Sequence, residues 1–226
     1  MQNKFFIFNP KSYLCGEELL ELALVADEVA MKYPQVSVFV TCPYADIYRI
    51  AKATNHIIVT AQHLDGIKKG RGMGAVLPEA VYGAGARATF LNHAEHPMTL
   101  ANLVAAIKRT KELGMVSIVC ADSVEEAVAI GTLSPDVLLC EPTELIGTGQ
   151  TSDDSYMIET NQAIKQRFPG VLMMQGAGIM TASDVYHAIK VGADGAGCTS
   201  GIVKAENPKQ MLFDMVEAVV RAVEEV

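Results

Sequence analysis

No long basic run, no apolar stretch approaching a membrane span and no pair of cysteines two residues apart occurs in this chain. Each absence removes a class of function. Phosphate backbones are bound by basic stripes, so with a formal net charge of −8 nucleic acid is not expected as a partner. A spanning helix needs about 18 or more consecutive apolar residues, so no membrane segment is expected. The five cysteines, Cys15, Cys42, Cys120, Cys140 and Cys198, are odd in number and widely spaced. They read as reduced thiols acting as small buried hydrophobes; neither a disulfide framework nor a metal site is expected. The opening Met-Gln-Asn-Lys leads into a short apolar run with no signal-peptide core or cleavage site, which predicts a cytoplasmic protein. Nor does a Pro/Ser-rich linker or a composition shift divide the 226 residues. A single domain over residues 1–226 is therefore expected.

What the chain does have is burial potential: 50% of its residues are hydrophobic and 19% are charged. Apolar, β-rich runs recur at 5–8, 36–40, 57–60, 88–91, 116–120, 137–140, 171–174 and, more weakly, 193–198. Helical periodicity fills the intervals at 17–32, 100–113, 123–131, 156–168, 183–191 and 209–226, with shorter helices at 44–53 and 78–83. Continuous rather than alternating apolar strands mean burial on both faces, as in a parallel sheet covered by helices. Eight strand-then-helix units predict an α/β fold of the (β/α)8 barrel type. The competing open sheet lacks the G-x-G-x-x-G turn after its first strand. Residues 66–74, Gly-rich and carrying Lys68, Lys69 and Arg71, form the one long loop without periodicity, which predicts a functional or interfacial role.

In a barrel of this type the acting residues follow the C-terminal ends of strands. Those positions hold Asn9 and Lys11 after the first run, Asn92, His93 and Glu95 after the fourth, and Glu141 after the sixth. Gly176-Ala177-Gly178 follows the seventh and Thr199-Ser200-Gly201 the eighth. Glu141 directly abuts its apolar strand and precedes Pro142, so it is the first candidate for a general base; Glu144 is read as a capping or surface carboxylate. The segment after it, 142–149, is Pro-started and Gly-ended, as a closing lid would be. Glu95 is the expected partner of Lys11. The two small-residue turns predict an anion site, because backbone N–H groups there can approach a phosphate, and Thr181 with Asp184 predicts a helix cap beside one of them. A small anionic substrate is compatible with the overall negative charge, since a local pocket of N–H groups and one Lys decides its binding.

Taken in order, Asn9-x-Lys11, Ala61-Gln62, Gly74-Ala75-Val76-Leu77-Pro78-Glu79-Ala80, Leu91-Asn92-His93-x-Glu95, Glu141-Pro142 with Leu145-Ile146-Gly147-Thr148-Gly149, Gly176-Ala177-Gly178-Ile179 and Ser200-Gly201-Ile202-Val203-Lys204-Ala205 resemble the triosephosphate isomerases, in particular their short archaeal form. The resemblance spans nearly the whole chain. It implies a cofactor-free aldose–ketose isomerase of a three-carbon sugar phosphate, homo-oligomeric (dimer or tetramer) through the loop 63–75. Glu141 would move the proton between carbons, and His93, neutral at a helix N-terminus, would polarise the carbonyl. Lys11 would neutralise the enediolate and Asn9 would position Lys11. The Gly147 N–H, on a lid over the phosphate, would join the two small-residue turns in binding it.

The chain departs from the family at Ala94, where Ser is usual, at the loop tip 70–74, which usually carries Thr, at His63, where Asn is common, and at His96-Pro97, which are commonly polar. Two other readings stay open on these residues: an isomerase of another short sugar phosphate such as a tetrulose phosphate, and a sugar-phosphate-binding protein without catalysis.

Overall fold

The structure, a computed structural model, describes residues 1–141 and 154–225. Its elements alternate along the chain as β1 (Phe5–Phe8), α1 (Gly16–Lys32), β2 (Ser37–Cys42), α2 (Tyr44–Ala53), β3 (Ile58–Ala61), α3 (Pro78–Ala84), β4 (Ala88–Leu91) and α4 (Leu100–Glu112). They continue as β5 (Val116–Ala121), α5 (Val124–Gly131), β6 (Val137–Cys140), α6 (Asp154–Arg167), β7 (Leu172–Gln175), α7 (Ala182–Lys190), β8 (Gly195–Cys198), α8 (Ser200–Val203) and α9 (Pro208–Glu224). The strands form a closed barrel in sequence order, every neighbouring pair parallel, with Phe8 opposite Val40 on one side and Cys198 on the other. This is the expected (β/α)8 barrel. Among the described residues no helix is long and apolar enough to cross a membrane.

Alternate strand residues take opposite faces. Phe5, Ile7, Phe39, Phe90, Ile118, Leu139 and Met174 fill the barrel interior, with Phe5 and Phe39 meeting edge to face at 5.8 Å. Phe6, Phe8, Val38, Val40, Leu91, Val119 and Leu138 point outward under the helices. Both sets are mostly apolar, so the strands read as continuous rather than alternating runs, broken only by single polar residues such as Thr89 and Ser117. Removing one interior Phe would cost about 3–5 kcal/mol.

β8, Gly-Ala-Gly-Cys, is the weakest strand by sequence because its inward positions carry no side chain. A Cβ on Gly195 would stand 2.2 Å from the Phe5 ring, and one on Gly197 would stand 2.1 Å from Met174 Cε. The space is taken by those two large neighbours.

Helix starts follow their caps. Thr181 accepts from the Asp184 N–H while Asp184 reaches back to the Thr181 backbone, the reciprocal cap anticipated from sequence. Ser123, Thr99 and Asn207 cap α5, α4 and α9. Thr199-Ser200-Gly201, expected as a turn only, is the entry to the one-turn helix α8. Four of the five cysteines are buried as expected; Cys15 is exposed, because it occupies the N-cap position of α1 and lies outside the packed face.

The loop 63–75 is tied at its base. Asp65 N–H donates to Val76 O at 2.9 Å and the Val76 N–H to the Asp65 carboxylate at 2.7 Å. Arg109 of α4 donates to Ile67 O at 3.1 Å and pairs with Glu79 and Glu112. At the tip Met73 is fully exposed.

Candidate active site

The inward parity of four strands continues past their C-terminal ends: Ile7 leads to Asn9, Leu139 to Glu141, Met174 to Gly176 and Gly197 to Thr199. All four line a cavity of about 460 Å³ at that end of the barrel, together with Lys11, His93, Glu95, Gly178 and Ser200. Gly147 and the rest of 142–149, Glu144 included, lie outside the described residues. Ala177 is buried and does not line the cavity wall, nor does Gly201. Gly201 is required for another reason: a Cβ there would stand 2.4 Å from the carbonyl oxygen of Met180, so the two small-residue turns touch. Tyr13 and Lys204 line the cavity as well, although sequence reasoning gave neither a role.

Lys11 is held at three points in an uncommon backbone conformation. Its backbone is left-handed, φ 48°, a conformation few non-Gly residues adopt. Its N–H donates to Asn9 Oδ1 at 3.0 Å, and its carbonyl accepts from Gln62 Nε2 at 2.7 Å. The ammonium donates to Glu95 Oε1 at 2.8 Å, the partner expected from sequence. Glu95 is exposed, so this pair adds little stability; its effect is to fix where the ammonium stands. Gln62 follows Ala61 at the end of β3, and nothing in the sequence ties it to Lys11.

His93 was expected at a helix N-terminus. Instead it begins a turn in which the His96 N–H donates to His93 O at 2.7 Å, and α4 starts only at Leu100 behind its Thr99 cap. Proline at position 97 and the Thr cap delay the helix. Burial, with Lys11 adding to it and Glu95 opposing, holds the imidazole below its ordinary value, so the neutral ring needs no helix dipole. Its tautomer follows from one bond. The Glu95 N–H donates to Nδ1 at 3.1 Å, so Nδ1 is the acceptor and the neutral ring carries its proton on Nε2.

Glu141 directly follows β6, its N–H still donating to Ala121 O at 2.9 Å. Desolvation pushes its carboxyl up to about 7, against the pull of Lys11 and with help from Glu95. A carboxylate with this poise accepts a carbon-bound proton near neutrality far better than an ordinary one. Ala94, in place of the family's Ser, faces an adjoining cavity of about 300 Å³ that also reaches Glu141.

The remaining departures meet one another. His63, buried, packs its ring on His96 with centroids 4.2 Å apart, and its Nε2 lies 3.3 Å from Asp65 Oδ1. The root of loop 63–75 thus rests on the turn that carries His93. Among the described residues no group of three or more His, Cys, Asp or Glu side chains is disposed to hold a metal ion.

Titratable side chains gathered at strand ends beside small-residue turns give this (β/α)8 barrel a candidate active site, and the matches that follow place the chain among the aldose–ketose isomerases. A family model described as Triosephosphate isomerase matches residues 4–219. A triosephosphate isomerase of Methanobacterium bryantii is 40% identical over 94% of this chain and 96% of its own. Those of Metallosphaera sedula and Sulfurisphaera tokodaii are 37% and 34% identical, covering 93% and 99% of this chain and 92% and 99% of theirs. The chain belongs to the triosephosphate isomerase family. These matches do not favour the tetrulose-phosphate or non-catalytic readings.

Proposed function

We propose that the chain interconverts glyceraldehyde 3-phosphate and dihydroxyacetone phosphate through an enediolate, with Glu141 as base, His93 as electrophile and Lys11 as the charge that receives the oxyanion. The Glu141 carboxylate removes the proton from the carbon beside the carbonyl, and the electron pair moves onto the carbonyl oxygen. The Nε2–H of His93 donates to that oxygen and relays protons between the two oxygens, while Glu141 returns its proton to the neighbouring carbon. The Lys11 ammonium, pre-set by Asn9 and supported by Glu95, meets the developing charge without reorganising. Gly176, Gly178, Thr199 and Ser200 line the phosphate cradle, with Ala177 and Gly201 in the turns behind it, and the Gly147 N–H is assigned to the phosphate by the family resemblance alone; Ser200 and Gly201 open α8, where backbone N–H groups have no intrahelical partner. No cofactor is required.

The observation that carries this reading is the convergence on one cavity of a carboxyl poised near neutrality, an imidazole with its proton on Nε2, and a positioned ammonium. The reading extends to a cytoplasmic enzyme of glycolysis and gluconeogenesis, without nucleic-acid partners, that forms a homo-oligomer (dimer or tetramer) through loop 63–75. The test is a coupled assay with glyceraldehyde 3-phosphate on the purified chain. Turnover abolished by Glu141→Gln supports the reading; a folded chain without turnover, or one that prefers erythrulose phosphate, overturns it.

A further inference from the structure

We propose that Asn92 is a positioning residue for the reaction: its side chain, anchored on Glu126 and on the end of β5, turns the chain after β4 so that His93 enters the cavity. This rests on the reading of His93 as the electrophile.

Strand parity makes the turn necessary. Ala88 and Phe90 face the barrel interior while Leu91 faces the helices, so by alternation Asn92 should point inward and His93 outward. The structure departs from this: His93 lines the active-site cavity and also borders the adjoining one, whereas Asn92 lines only the adjoining one. The switch occurs at Asn92 itself, whose φ of 58° is left-handed. Asn tolerates this region better than most residues, but not without cost.

Three side-chain bonds hold the conformation. Asn92 Nδ2 donates to Cys120 O at 3.0 Å and to Glu126 Oε1 at 3.2 Å, and Oδ1 accepts from the Met98 N–H at 2.9 Å. The β4–β5 ladder ends with Leu91 opposite Val119, so the Asn92 amide takes up the next carbonyl of β5 in place of a strand N–H. The Met98 bond closes the loop from its far side, enclosing His93 and Glu95 between the two points where Asn92 grips. Glu126 is itself fixed: its second oxygen accepts from the Asp122 N–H at 2.7 Å, and its own N–H donates to Ser123 Oγ at 3.1 Å. The anchor therefore belongs to the first turn of α5. Through it, β5 and α5 set the direction of an imidazole carried by β4.

The test is a set of kinetic cycles with thermal melts as folding controls. Asn92→Ala should lower kcat for glyceraldehyde 3-phosphate by roughly 10–100-fold, the loss a misplacement of about 1 Å produces, with KM changed by no more than about threefold. Asn92→Gly accepts φ 58° without strain and keeps the fold, yet should show the same kcat loss because the grip is gone. Glu126→Ala should lower kcat several-fold in the wild-type chain and add almost nothing to Asn92→Ala, as for two members of one network. The decisive arm is His93→Gln. If Asn92 acts through the imidazole, Asn92→Gly has no further effect on kcat in that background. Full additivity there, or a kcat within threefold of wild type for Asn92→Gly alone, overturns the proposal. A His93→Gln chain that retains kcat within tenfold instead overturns the reading of His93 on which the proposal rests.

Discussion

A carboxyl that burial lifts to about 7 is a base only above that value, so kcat/KM should fall tenfold per pH unit on the acid side of about 7. Steady-state rates between pH 5 and 9 check this. The stability linkage has the opposite sense to that of an ion-paired carboxylate. Because the folded value lies above the ordinary 4.5, stability is fully present below 4.5 and is lost as pH rises through about 7. Glu141→Gln removes the penalty. It should abolish turnover and yet raise unfolding stability by about 2–3 kcal/mol at pH 8, with a much smaller gain at pH 5, as read from urea melts at the two pH values. Glu141→Asp should keep the fold and lower kcat on the order of 10², since the shortened base stands about 1 Å away from its proton. Lys11→Met should abolish turnover with circular dichroism unchanged, because it removes the ammonium beside the oxyanion while Asn9 and Gln62 still grip the backbone. Glu141, His93, Lys11 and Glu95 were legible in the sequence because each follows an apolar run that ends at the mouth of the barrel. The grip of Gln62 on Lys11 and the contact of His63 with His96 were not. Each joins loops after different strands, and no local spacing records which loops become neighbours.

At the scale of the element, seven of the eight strands announced themselves through apolar runs, and β8 did so only faintly because Phe5 and Met174 occupy the room its side chains would need. Helix boundaries moved by a residue or two where caps decide them: Ser123 and Thr181 were read into or next to helices that begin one residue later. α8 escaped notice because one helical turn is too short to display a period. That short helix is the element on which a substitution should speak most clearly. At Gly201 the backbone passes so close to Met180 that an added methyl must push a carbonyl aside rather than rotate a flexible side chain. Gly201→Ala should therefore destabilise the chain by about 1–3 kcal/mol and displace the α8 entry from the anion. The kinetic signature expected is a KM for glyceraldehyde 3-phosphate raised at least tenfold, together with weakened protection of the melting temperature by 2-phosphoglycolate; glycolate, lacking the phosphate, should protect neither chain. Equal protection by the two ligands would remove the anion site from this turn.

For the whole molecule, the proposed homo-oligomer would make the loop 63–75 the link between assembly and chemistry. Its base is secured by Asp65, Val76 and Arg109, while its tip carries Met73 fully into solvent between Gly72 and Gly74, both at left-handed φ. An exposed apolar side chain on a well-rooted, protruding loop is what an interface with a second copy would cover. The root of that loop also carries His63, which rests on His96 at the far end of the turn that begins with His93. Covering the tip should therefore steady the turn that carries the imidazole, and uncovering it should be felt in kcat. Met73→Asp sets a charge at the tip without touching a cavity residue. It should shift the sedimentation coefficient to that of a 24.2 kDa monomer and lower kcat about tenfold, with a loss that dilution of the wild-type chain below its dissociation constant reproduces. A wild-type chain that sediments as a monomer at every concentration and turns over fully would dismiss both the interface and its link to His93. A Met73→Asp chain that becomes monomeric without losing rate would keep the interface and sever the link.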